Sequence, residues 1–101
     1  MVIGGDGYLG WPASMFFSNA GHEVAIIDNL CRRSFDDELG TNSLTPIASI
    51  YERTKIWNRT TDKNILYRYG DVTDYPFLSS FFKEFAPEVI IHFGEQRSAP
   101  Y

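Results

Sequence analysis

Cysteine is almost missing from these 101 residues: Cys31 stands alone, so no disulfide can close within the chain, and the usage fits a reducing compartment. Histidine is nearly as scarce. His22 and His92, with a single cysteine, do not make the ligand set of a zinc-type metal cluster. Excess basic charge is lacking too. The 9 Lys and Arg against 13 Asp and Glu leave a net charge of −4 and a pI near 5.0, the wrong sign for a nucleic-acid face. No apolar run approaches the roughly 18–20 residues of a membrane span. No cationic start leads into an apolar stretch, so no secretory leader is visible. What is present argues for a packed core: 44% apolar and 16% aromatic residues are inconsistent with disorder. The length allows one domain at most.

The patterning alternates strands with helices. Only Met1, Val2 and Ile3 precede the first glycine, about half of an average strand. Residues 8–20 predict a helix opening in a glycine loop, with Pro12 in its first turns and Gly21 as its stop. "EVAIID" at 23–28 suits a buried parallel strand, and the polar residues 29–44 read as a long excursion. Thr45 and Pro46 predict a helix start, with Ile47, Ile50, Tyr51 and Trp57 on its apolar side. "NILYRYG" at 64–70 reads as a strand, Asp74 as the cap of a helix through residue 86, and "EVIIHF" at 88–93 as a fourth strand. The order β-α-β-α-β-α-β implies an α/β fold, the N-terminal half of a Rossmann-type, doubly wound parallel sheet. With half a sheet and a three-residue lead-in, the expectation is a piece of a larger domain, incomplete at both ends.

Gly4, Gly7 and Gly10 recur at three-residue spacing where a strand passes into a helix. Such a loop turns out of the strand, lets backbone approach a pyrophosphate and lets the helix pack on the sheet, while the helix N-terminus offers N–H groups to phosphate. Glycines alone are a weak signal. Asp28, 18 residues after Gly10 at a strand end, strengthens it, because a carboxylate there accepts from ribose hydroxyls and repels a 2′-phosphate. That favours NAD over NADP. Arg32 and Arg33 argue the other way, since a guanidinium can hold a 2′-phosphate. In "GDVTD", Asp74 suits a helix cap and Asp71 suits an adenine contact.

"MVIGGDGYLGW", "DNLCRRSFDDELGTNSLTPIASI", "GDVTD" and "HFGEQRSAPY" together resemble the UDP-sulfoquinovose synthase family. That family lies within the extended short-chain dehydrogenase/reductase, or NAD-dependent epimerase/dehydratase, superfamily. The similarity runs along essentially the whole chain, and the long insert and the "GEQRSAPY" ending are its most specific parts.

The resemblance implies the NAD-binding part of an enzyme acting on UDP-glucose and sulfite, with transient oxidation at C4 of the sugar, loss of water across C5–C6, and sulfite addition at C6. It implies that Gly4, Gly7, Tyr8, Leu9 and Gly10 line the pyrophosphate, and that Asp28, Asn29, Arg32 and Arg33 surround the ribose. Asp71 and Val72 would meet the adenine, Phe93 and Gly94 would pass beside the cofactor, and Gln96 and Arg97 would face the sugar and sulfonate. It further implies a homodimeric parent in the cytoplasm, or in the plastid stroma of a photosynthetic eukaryote. Alternatives are a UDP-sugar 4-epimerase or dehydratase of the same superfamily, or a catalytically dead NAD-binding sensor. Tyr51 and Lys55 have the spacing of the superfamily's catalytic pair but fall between the second and third strands, so they read as a packed tyrosine and a solvated lysine. No residue of the chain is assigned as a catalytic acid or base, and none as a metal ligand.

Overall fold

Two apolar strands with opposite faces decide the layout. The computed structural model describes residues 1–95. In chain order these form β1 (Val2–Ile3), α1 (Gly10–Asn19), β2 (Val24–Asp28), α2 (Cys31–Leu39), α3 (Ile50–Thr60), β3 (Ile65–Tyr69), α4 (Tyr75–Phe85) and β4 (Ile91–His92). The strands make one parallel sheet in the order β3-β2-β1-β4. Val2 pairs with Ile26 and Ile91, and Ile3 with Ile27 and His92, so β1 sits in the interior despite its two residues. The α/β, Rossmann-type arrangement expected from the sequence is therefore present.

Because side chains alternate along a strand, each sheet face has its own core. Ile3, Ala25 and Ile27 join Phe81 of α4 on one face. Val2, Val24, Ile26 and Ile65 join Ile50 of α3 on the other, with Trp11, Met15 and Trp57 packed alongside. Ile26 and Ile27 are fully buried, each contributing about 1.5–3 kcal/mol of hydrophobic stabilisation. α1 turns Gly10, Ser14 and Ser18 inward, one small residue per turn. Trp57 Nε1 of α3 donates to Ser18 Oγ at 3.0 Å, tying the two helices together.

Three expectations are corrected. The excursion at 29–44 contains a helix, α2, entered through Leu30 and closed by Gly40, both left-handed at φ 57° and 62°. Its interior is charged and none of its residues is buried, so it carries no apolar period to read. The helix expected from Thr45 and Pro46 begins at Ile50 instead, and Ile47 lies outside it, half exposed. Ser49 and Glu52 form a capping box there: Ser49 Oγ accepts from Glu52 N, and the Glu52 carboxylate accepts from Ser49 N. Thr45 has Ala48 at the corresponding position and cannot make that reciprocal pair. The fourth strand contracts to Ile91–His92, although Ile91 N donates to Met1 O and Phe93 N to Ile3 O.

Candidate functional site

All four strands end on one side of the sheet, and a cleft of about 260 Å³ opens there. In a parallel sheet this is the side on which ligands bind, at the point where the chain order reverses, here between β1 and β4. A hollow of about 520 Å³ lies at the opposite end, between the α1–β2 turn and residues 85–91, away from that switch point.

The glycine loop forms the floor. Gly4 has φ +80°, and a Cβ on it would stand 2.7 Å from Gly94 N and 2.8 Å from Phe93 C, so two backbone segments touch where a side chain would be. A Cβ on Gly10 would stand 2.1 Å from Gly4 O. The loop and the first turn of α1 are thus pressed together, and the buried Gly10 opens the helix from beneath the loop. Among the described residues no carbonyl or side chain accepts from the N–H groups of Tyr8, Leu9 or Gly10. They are the free donors of a helix start, and the Tyr8 and Leu9 side chains point to solvent.

The acidic residues of the cleft are held in fixed orientations. Asp28, at the end of β2, accepts at Oδ2 from Asp6 N and at Oδ1 from Leu30 N, both at 2.8 Å. The second bond fixes Leu30 in its left-handed conformation, uncommon for a non-glycine residue. Tyr67 of β3 donates its hydroxyl to Asp28 O at 3.1 Å. Burial, then the neighbouring Tyr51 hydroxyl and the Asp28 charge, push the Tyr67 phenol well above its ordinary range, so it stays a donor. Asn29 Nδ2 donates to Asp71 Oδ2 at 2.8 Å, and Asp71 Oδ1 accepts from Thr73 N and Thr73 Oγ1. These bonds, those from Thr73 first, hold Asp71 below the usual carboxylate range.

Gly4, Gly7, Asp28, Asn29, Arg32, Asp71, Val72, Phe93 and Gly94 therefore share one cleft. Arg33 does not line it: its Nε donates to Asp6 Oδ2 at 2.8 Å and its Nη2 to Asp6 Oδ1 at 3.3 Å. Gln96 and Arg97 lie outside the described residues. His92 is half exposed at the sheet edge, where its Nδ1 accepts from Gly94 N. Tyr51 is mostly exposed and sets its ring edge-on to Tyr67 at 4.8 Å, while Lys55 is exposed. Among the described residues no group of three or more His, Cys, Asp or Glu is placed to hold a metal ion. None of their helices is long and apolar enough to cross a membrane.

Sequence reasoning missed Asp6. It accepts from Arg33 and Arg53 together, and the Arg53 guanidinium lies 4.9 Å from the centre of the Trp11 ring. The one available signal was an acid inside a glycine loop, "GGDG", where its charge opposes phosphate unless it is neutralised.

The chain is 54% identical over all 101 residues to the chloroplastic UDP-sulfoquinovose synthase of Spinacia oleracea, covering 21% of that protein. It is 41% identical over 101 residues to the UDP-sulfoquinovose synthase of Sulfolobus acidocaldarius, covering 26% of it. It is 31% identical over 94 residues to the UDP-glucose 4-epimerase of Pasteurella multocida, covering 23% of it. The chain thus spans about a fifth to a quarter of the length of these relatives. The model of the NAD dependent epimerase/dehydratase family matches residues 1–100, and the chain belongs to that family.

Proposed function

We propose that this chain forms the adenosine and pyrophosphate half of an NAD site in an enzyme that converts UDP-glucose and sulfite to UDP-sulfoquinovose. The observation that carries the NAD reading is the open cleft at the strand ends, which Gly4 and Gly7 of the glycine loop line together with Asp28 and Asp71. Beside it, the free N–H groups at the start of α1 suit a pyrophosphate. Asp28 keeps unused lone pairs on both oxygens after accepting from Asp6 and Leu30, enough for ribose hydroxyls. Asp71 and Val72 line the same cleft, and a carboxylate beside a backbone N–H suits an adenine edge. When bound, NAD supplies a hydride acceptor and donor for C4 of the sugar; these residues bind and orient it without handling a proton.

The identity to two UDP-sulfoquinovose synthases, 54% and 41% against 31% for the epimerase, favours sulfonate chemistry over epimerisation. Gln96 and Arg97 are proposed for the sugar and sulfonate end, where a guanidinium suits a sulfur oxyanion. A homodimer, in the plastid stroma or the cytoplasm, is part of the same proposal. The test uses the intact protein carrying this chain, given UDP-glucose with and without sulfite, with products read by mass. A UDP-sulfoquinovose peak that depends on sulfite supports the proposal. UDP-galactose or a 4-keto sugar formed regardless of sulfite overturns the sulfonate reading and leaves the NAD site standing. Absence of any bound or bindable NAD overturns both.

A further inference from the structure

Arg33 is placed where a cation could change which dinucleotide the cleft accepts. It lies five residues beyond Asp28, near the start of α2, and a guanidinium near that acid is what accommodates a phosphate on the ribose 2′-oxygen. Its Nε and Nη2 are nevertheless both spent on the Asp6 carboxylate. Asp6 is also held from behind. Arg53 of α3 donates through Nη2 to Asp6 Oδ1 and to Asp6 O, and its guanidinium is covered by Trp11. The Asp6 side chain is only 9% exposed and that of Arg53 14%, whereas Arg33 keeps 32%.

The three groups are unequal in mobility. Arg53 is boxed in by Trp11 and by its own helix, and its Nε is buried without a partner. Asp6 is fixed at its backbone as well, because its N–H donates to Asp28 Oδ2. Arg33 is the outer, wetter partner and the only one with room to swing toward the cleft.

We propose that Asp6 is a specificity-determining residue. By holding the Arg33 guanidinium against the glycine loop, it denies that guanidinium to a 2′-phosphate, so selection against NADP rests on two acids, Asp28 and Asp6, rather than on Asp28 alone. The inference depends on the reading of the cleft as a dinucleotide site. It separates Arg33 from Arg32: Arg32 lines the cleft, and Arg33 does not.

The experiment measures dissociation constants for NAD and NADP by calorimetry on the intact protein, stripped of bound nucleotide. In Asp6→Asn the amide still accepts a hydrogen bond but no longer holds Arg33 by charge. The preference for NAD over NADP is expected to fall about tenfold or more. In Asp6→Asn/Arg33→Gln the preference is expected to return, which assigns the gain to Arg33 and not to the lost negative charge. Arg33→Gln alone, in which Arg53 still holds Asp6, is expected to leave the ratio within about twofold of the unsubstituted protein. It keeps the question decidable if Asp6→Asn fails to fold. Equal weakening of both nucleotides in Asp6→Asn makes Asp6 a purely structural residue and overturns the inference. A fivefold or greater change of ratio in Arg33→Gln overturns it as well, because Arg33 would then already serve the ligand. If the unsubstituted protein takes neither nucleotide, the dinucleotide reading falls first and this inference with it.

Discussion

Gly10 shows how much of the site depends on one missing methyl group. Its Cβ would sit 2.1 Å from Gly4 O and 2.7 Å from Gly5 Cα, both backbone atoms that cannot rotate aside. Relief requires α1 to withdraw from the loop, which would also move the free N–H groups of Tyr8 and Leu9. Gly21 makes the opposite case: it has φ +97° but nothing within 4 Å of an added Cβ. Gly10→Ala is therefore expected to cost about 1–3 kcal/mol through overpacking and to weaken NAD binding together with stability. Gly21→Ala is expected to cost about 1 kcal/mol of left-handed strain and to leave NAD affinity unchanged. Urea unfolding and a binding isotherm on each variant of the intact protein check both statements. Equal loss of affinity in the two variants would show that general destabilisation, and not displacement of the loop, governs binding.

At the scale of elements, the same kind of comparison separates a real helix cap from an apparent one. Ser49 takes part in both halves of a capping box, while Thr45, four residues earlier, is exposed and outside any helix. Ser49→Ala is expected to destabilise by about 1 kcal/mol, within the 0.5–2 kcal/mol usual for a cap. Thr45→Ala is expected to stay within about 0.5 kcal/mol of the unsubstituted protein, as surface changes usually do. Thermal unfolding of the two variants decides it, and a Thr45 effect as large as that of Ser49 would sink the assignment. The misreading was physical in origin: "TPIAS" satisfies the local cue of a threonine before a proline, whereas the reciprocal bond to Glu52 needs a residue three positions on. β2, β3 and α4 were legible because apolar period, caps and turn residues agree there. α2 was not, because it buries nothing and ends through backbone geometry at Gly40. The placement of the glycine loop, Asp28 and Asp71 could be read from spacing, since each lies at the end of a strand or just beyond it. The bond between Asp6 and Arg53 joins residues 47 apart and could not be read that way.

The molecule as a whole has two unlike sheet edges. β3 forms one, where Arg68 pairs with Glu84 at 2.6 Å and Tyr69 stands exposed, so charge and bulk interrupt a would-be partner strand. β4 forms the other, in the run "EVIIHF", whose composition suits a strand buried on both sides. Val89 is 65% exposed and Ile90 47%. Ile91 N and Phe93 N are satisfied by Met1 O and Ile3 O, so the alternate backbone groups, those of Ile90 and His92, face outward, as at any unpaired edge. The Glu95 carboxylate stands 3.5 Å from His92 Nδ1 at one end of that edge, while Val89, Ile90 and Ile91 bring no charge to the rest of it. The 101-residue polypeptide produced by itself is thus expected to self-associate through β4 and not through β3. Sedimentation velocity over a concentration series reads the outcome directly. Val89→Lys, a charge on an already exposed side chain, is expected to shift the polypeptide toward monomer, and Tyr69→Lys at the opposite edge is expected to leave the association unchanged. A polypeptide that stays monomeric at about 100 μM, a concentration at which exposed strand edges associate, would mean that β4 is covered by its own chain. Association abolished equally by either lysine would point instead to general charge repulsion, because only a contact through β4 distinguishes the two edges.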